Sequence, residues 1–514
     1  MKKKIFSAVL ACLISFLSAC GPSASRLTQT AAPAAETPLS ATDTSTIPTA
    51  SAQPLSQGAD YIQGAQMFDE QEALKYLEYL ASDDLEGRRA GTRGGGAAGD
   101  YIAARFAKYG LQPVGTDGTY FQPFSFSAND IWDVSPILTV FFPSADVSSK
   151  GELTRDYTYF TDFIPMIQGN FGSGEVKAPV VWIGKCNSFK LDASLAKKIL
   201  LCQPSEATDY DLLVAEALDH RIGGLLVIHD EEGPGPYVRR MFRNGKLTEL
   251  PAFWIPTAIA QDLLAGTEYT LDDLAQLSDP TPLATSVKMA VSIQKRELEA
   301  RNVLGLLPGT DPQHKDEIVV ISAHYDHVGR NPDGTVYNGA NDNASGVAVM
   351  LEIARLWQEQ GFQPARSVLF AAWDGEERGW LGSTYYVENP VYPLDHTVAL
   401  LNLDMTGVGD EKLYIFGEEG SPVVAQLLSS AQALGISANF NPEGGGSDEI
   451  PFMEAGVPAG AYFVYPASDL GLAYHLPGDD VQNIQLSSLR KIGICSVYFL
   501  AAWSGGGIPL QISP

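Results

Sequence analysis

No run of about 18 consecutive apolar residues occurs in this 514-residue chain, which excludes an ordinary membrane-spanning helix. Cysteine is scarce: five residues are too few for a disulfide-dense scaffold at this size. Positive charge is also short, with 34 Lys and Arg against 61 Asp and Glu and a formal charge of -27. A nucleic-acid backbone would be repelled, so no nucleic-acid partner is expected. What is present is an apolar fraction of 45%, enough for a full core, and a length that suits two or three domains.

The chain opens with Lys2-Lys3-Lys4 and a short apolar run from Ile5 to Leu17. That pattern is an export leader, too short to span a bilayer. Leu17-Ser18-Ala19-Cys20 then has the form of a bacterial lipobox, with Cys20 as the lipidated residue. The expectation is an exported lipoprotein of the cell envelope that touches membrane only through that lipid. Residues 21–64 are rich in Ala, Ser, Thr and Pro without helical or strand period, which describes a disordered tether. Cys186 and Cys202 are the one remaining pair close in sequence. A disulfide between them and a set of buried thiols both stay open.

Order is expected from Ala65. Leu74, Leu77 and Leu80 give residues 68–81 a helical face. Gly94-Gly95-Gly96 should precede a second helix marked by Ile102 and Phe106. Short β-like runs broken by Gly and Pro fill the region near 150–280, with a helical stretch around Asp211–Leu218. From about 296, strands (Ile318–Ser322, Ser367–Trp373, Thr397–Leu403) alternate with helices (Ser345–Gln360, Val423–Leu434, Leu486–Trp503). Continuous apolar strands between amphipathic helices imply an α/β fold, a mixed and mostly parallel sheet sandwiched by helices. Sites in such sheets gather at the carboxyl ends of strands.

Five segments place candidate ligands there: His324-Tyr325-Asp326, Asn341-Asp342-Asn343, Glu376-Glu377, Asn402-Leu403-Asp404 and Tyr474-His475. Each alone has an ordinary explanation. His-x-Asp is a polar strand end, Asp342 a helix cap, Glu376-Glu377 a solvated pair and His475 a loop histidine. Together they are hard to read as structure. Asp404 ends an apolar run that should hold no bare carboxylate. Two imidazoles with three or four carboxylates at one sheet edge suit a pair of zinc ions. Asp326 is placed to fix the tautomer of His324. Ser345 is available to cap its helix, which leaves Asp342 free to bridge.

Ser322-Ala323-His324-Tyr325-Asp326, Gly339-Ala340-Asn341-Asp342-Asn343-Ala344-Ser345-Gly346, Gly375-Glu376-Glu377-Arg378-Gly379, Asn402-Leu403-Asp404-Met405 and Tyr474-His475 resemble the co-catalytic dizinc aminopeptidases. That family includes bacterial leucyl aminopeptidases, glutamate carboxypeptidase and the inactive transferrin receptor. The resemblance runs from about residue 67 to 503 and implies two Zn ions and peptide substrates with a free N-terminus. It implies that His324 and Asp404 hold one zinc and Glu377 and His475 the other, with Asp342 bridging. Glu376 would be the general base, Asp326 would orient His324, and Tyr474 would donate to the oxyanion. The segment containing Gly223-Gly224-Leu225-Leu226-Val227-Ile228 resembles the protease-associated domain inserted in some members. The expected layout is 1–20 leader and lipobox, 21–64 tether, 65–150 first catalytic part, 151–280 inserted domain and 281–505 second catalytic part. Glu449 follows Gly446-Ser447-Asp448 where the family often has His, which leaves specificity open. A glutaminyl cyclase, a carboxypeptidase and a receptor-like binding protein on the same fold stay as alternatives.

Overall fold

The computed structural model describes residues 59–143, 153–166, 171–187, 191–229, 246–409, 413–442, 446–463 and 473–505. The expected leader, Cys20 and residues 21–58 of the tether lie outside the described residues. Among the described residues no helix is long and apolar enough to cross a membrane.

The main sheet is built on β1 (Phe121–Asp130), β2 (Gln294–Leu307), β3 (Ile318–His324), β4 (Ser367–Trp373), β5 (Thr397–Leu403), β6 (Leu413–Gly417), β7 (Ala438–Phe440) and β8 (Ala459–Phe463). Gln112–Pro113 pairs with β2 at one edge. The order inward is β2-β4-β3-β5-β8-β6-β7, and β1 runs antiparallel along β2. The four central strands, β4, β3, β5 and β8, are parallel. Every residue of β3, β4 and β5 is buried, which is why each reads as an unbroken apolar run. Within the runs the period of two still sorts the side chains. Val319, Ile321 and Ala323 join the core on one face, and Ile318 and Val320 join the other.

Helices cover both faces. On one lie α1 (Glu70–Leu80), α2 (Arg93–Lys108), α3 (Ser345–Gln360), α4 (Pro422–Ala433) and α5 (Leu486–Ser504). The other carries the short helices Leu381–Glu388 and Glu449–Glu454, through Tyr386 and Phe452.

Four local expectations need correction. Order begins earlier than Ala65, because Ala59–Gln66 is already helical and Tyr61 packs edge-on against Tyr498. The buried stripe of α1 is Ala73, Tyr76, Leu77 and Leu80, with Leu74 only partly covered. Asp69 caps that helix by accepting from the backbone N–H groups of Gln71 and Glu72. Gly94 and Gly95 lie inside α2, not before it. A Cβ on Gly94 would stand 1.9 Å from the Leu85 carbonyl oxygen, and one on Gly95 2.5 Å from that of Arg89. The first turn of the helix therefore carries glycine despite its poor propensity, because it presses onto the 85–89 loop. Finally, Ser345 does not cap α3. Asn343 Oδ1 accepts from Gly346 N at 2.9 Å, while Ser345 Oγ donates to Asn341 O and accepts from Thr406 N.

A second, eight-stranded sheet takes strands from Ile137–Phe142 through Thr281–Val291 and has its own hydrophobic cluster. It extends past both ends of the expected 151–280 segment. The long β1–β2 ribbon leads into and out of it. Cys186 and Cys202 form a disulfide, with Cα atoms 5.2 Å apart, between neighbouring strands. Phe160 from this region meets Tyr337 of the main unit with ring centroids 6.1 Å apart.

Candidate metal centre

The carboxyl ends of β3, β4 and β5 deliver His324, the Gly375-Glu376-Glu377 turn and Asp404 to one place. The turn before α3 adds Asp342, and the segment beyond β8 adds His475. Asp342 stands between two donor groups. Its Oδ1 is 3.4 Å from His324 Nε2, which is 3.3 Å from Asp404 Oδ1. Its Oδ2 is 3.2 Å from His475 Nε2, which is 2.9 Å from Glu377 Oε2. Four donors about 2.0–2.2 Å from a tetrahedral zinc ion stand about 3.3–3.6 Å apart; the two spacings at His324 fall in that range and the two at His475 are slightly shorter. All five residues are buried.

Electrostatics favour a cation. Burial alone would lower His324, but Asp404, Glu376 and Asp342 raise its pKa well above the usual imidazole value. His475 is raised to about 10, because Glu377 and Asp342 outweigh its burial. Burial would raise Glu377, yet His475 and His327 hold it well below an ordinary glutamate. Without metal, protons on the imidazoles offset the buried carboxylates. Divalent ions would do so more fully.

Glu376 belongs to neither donor group. Loss of water, then Glu377, Asp448 and Asp404, push its carboxyl well above the usual range against the pull of His324. Its backbone N–H donates to Asp326 Oδ1 at 3.0 Å. Asp326 Oδ1 is 3.8 Å from His324 Nδ1, while the Asp326 carbonyl oxygen is nearer at 3.3 Å. Asp326 thus touches both the imidazole and the Glu376 turn. Tyr474 stacks on His475 with ring centroids 3.8 Å apart. Its hydroxyl is pushed well above the tyrosine range by loss of water and by Glu377, Asp342, Glu376 and Asp404, even though 45% of the residue is exposed.

Several supporting residues escape a reading of the sequence. Asp479 accepts from the N–H groups of Asn341 and Asp342 at 2.7 and 2.9 Å, fixing the bridging turn. Arg88 donates to the carbonyls of Leu80, Tyr325, Asn338 and Gly339. Glu449 does not line an open pocket. It is buried, accepting from Asn402 Nδ2 and Ser447 N, both at 3.0 Å. His327 also points inward, its Nδ1 3.0 Å from Glu377 Oε1. Its one sequence signal is position, three residues after His324.

Residues 302–500 match the model of Peptidase family M28. Over these residues the chain is similar to that family. Curated relatives include Aminopeptidase YwaD of Bacillus subtilis, 33% identical over 203 residues, 38% of this chain and 42% of that protein. Leupeptin-inactivating enzyme 1 of Streptomyces exfoliatus is 34% identical over 229 residues, 41% of this chain and 49% of its own. The chain therefore spans less than half the length of these two relatives. The solved structure of BSAP, a zinc aminopeptidase from Bacillus subtilis, superposes with a TM-score of 0.59 at 21% identity, covering 84% of this chain and 95% of that one. That likeness supports the mixed α/β fold. The buried His, Asp and Glu donors of this region fit zinc.

Proposed function

We propose that the protein is a zinc exopeptidase, specifically an aminopeptidase that releases N-terminal residues from peptides. The observation that carries the reading is Asp342, whose two oxygens face separate donor groups. His324 and Asp404 would hold one ion and Glu377 and His475 the other, with Asp342 shared between them. That arrangement favours the two-ion peptidase over the one-zinc cyclase. Zinc ions held there would polarise the scissile carbonyl and lower the pKa of water to about 7.

The chain's own groups do the rest. Glu376, free of both donor sets, takes a proton from the attacking water and passes it to the departing amine as the C–N bond breaks. Asp326 pins the Glu376 turn through its backbone N–H and orients His324. Tyr474, kept protonated, donates to the oxygen that gains negative charge. The second sheet acts as a protease-associated domain beside the cleft and limits substrate length. Cys20, lipidated after export, anchors the enzyme to the cell envelope.

The test is a panel of aminoacyl chromogenic substrates, free and N-blocked, with and without chelator. Cleavage of the free forms alone, abolished by chelator, is expected. Glu376→Gln should keep its bound zinc while turnover falls by about 10²–10⁴-fold. Equal cleavage of N-blocked substrates, or full activity in that variant, rejects the assignment.

A further inference from the structure

The two donor groups around Asp342 are unequal. On the His324 side three residues converge: His324, Asp342 and Asp404. On the other side there are four, because His327 joins Asp342, Glu377 and His475. His327 Nδ1 lies 3.0 Å from Glu377 Oε1 and 3.7 Å from Asp342 Oδ2. Glu377 Oε1 is also 3.0 Å from His475 Nε2. The two imidazoles therefore approach one carboxylate from different directions, with ring planes 78° apart and centroids 5.4 Å apart. These spacings bracket the edge of a tetrahedral shell, about 3.3–3.6 Å.

The His327 ring is fully buried and held in place. A Cβ on Gly339 would lie 2.5 Å from its Cγ and Cδ2, so only glycine leaves room for the ring there. Its Nε2 has no hydrogen-bond partner among the described residues. Nδ1 is the ring nitrogen that faces the shared donors Glu377 and Asp342.

We infer that His327 is a fourth protein ligand to the ion held by Asp342, Glu377 and His475. This rests on the two-ion reading above. It makes that subsite closed and tight, as four-ligand sites are, and leaves the three-ligand His324 subsite with an open position for substrate and water. One ion is then effectively structural and the other exchangeable.

The test measures metal binding, not turnover. Full-length wild type, His327→Ala and His327→Asn are titrated with zinc against a competing chelator. Singly cobalt-loaded samples are compared by visible absorption, and circular dichroism of the chelated proteins checks folding. Wild type should bind two ions of clearly different affinity. Both variants should weaken the tighter ion by more than the 10–100-fold typical of an outer hydrogen-bond partner, change the cobalt spectrum, and leave the weaker ion within about tenfold. Asn, like His, can donate to Glu377 but is a poor ligand. Restoration of tight binding and of the cobalt spectrum by His327→Asn would make His327 a hydrogen-bond donor and overturn the inference, leaving the two-ion reading intact. Wild type that binds no zinc would remove both.

Discussion

Arg88 donates from all three of its guanidinium nitrogens, to carbonyls on the α1 C-terminus, the segment after His324 and the turn before Asp342. It is 1% exposed, and burial lowers its pKa to about 10, so it stays charged at neutral pH. Arg88→Met would strip the donor from four carbonyls at once. Since an unsatisfied buried acceptor costs about 1–3 kcal/mol, the variant should lose about 3 kcal/mol or more of stability in urea unfolding of the metal-free protein. An unchanged midpoint would mean that water replaces the guanidinium. The five candidate ligands His324, Asp342, Glu377, Asp404 and His475, which the structure brings together, stand out in sequence because each breaks an apolar run or a Gly-rich turn with a costly polar group. Arg88 and Asp479 do not, since their partners are backbone atoms that carry no sequence signal.

Elements whose identity depends on burial alone were read correctly. β4, β5 and α3 have the expected limits because a strand buried on both faces must be apolar throughout, and Gly361 with φ 62 ends α3. Where tertiary contact overrides propensity the reading slipped. Gly94 looks like a loop residue, yet it lies in the first turn of α2, where the Leu85 carbonyl leaves no space for a side chain. Gly94→Ala therefore sets two effects against each other. Helix propensity gains about 1 kcal/mol. The clash is with backbone, which cannot rotate aside, and overpacking of this kind costs about 1–3 kcal/mol. The variant should be less stable, with a lower melting temperature. An increase would show that the 85–89 loop yields freely. The stripe of α1 slipped for a related reason: Ala73 and Tyr76 are buried and Leu74 is only partly covered, a rotation set by the packing of α3 and α5.

At the scale of the molecule, the change of texture near residue 150 announced a second sheet but not its limits. Ile137–Phe142 and Thr281–Val291 belong to it through pairing partners far away in sequence. The same long-range convergence crowds buried acids around the centre, and this sets how stability responds to pH and metal. Burial raises Asp448 and Glu449 to about 7, and Asp374 and Asp479 to about 6. Each pKa lies above its unfolded value of 3.8 or 4.5. Between those limits the folded chain binds more protons than the unfolded one, so stability falls as pH rises. His475, raised to about 10, acts in the same direction from its unfolded value upward. Glu377 is lowered and acts oppositely, but its contribution is lost only as pH falls below its unfolded value. Metal-free protein should therefore lose melting temperature steadily from pH 5 to pH 8. Bound zinc would oppose the trend, because it takes the place of the imidazole protons on His324 and His475 and binds better as they leave. The gap between zinc-loaded and chelated melting temperatures should widen across that range. A gap that narrows with rising pH would show that the buried acids are already ionised without metal, and that the centre is not built around a cation.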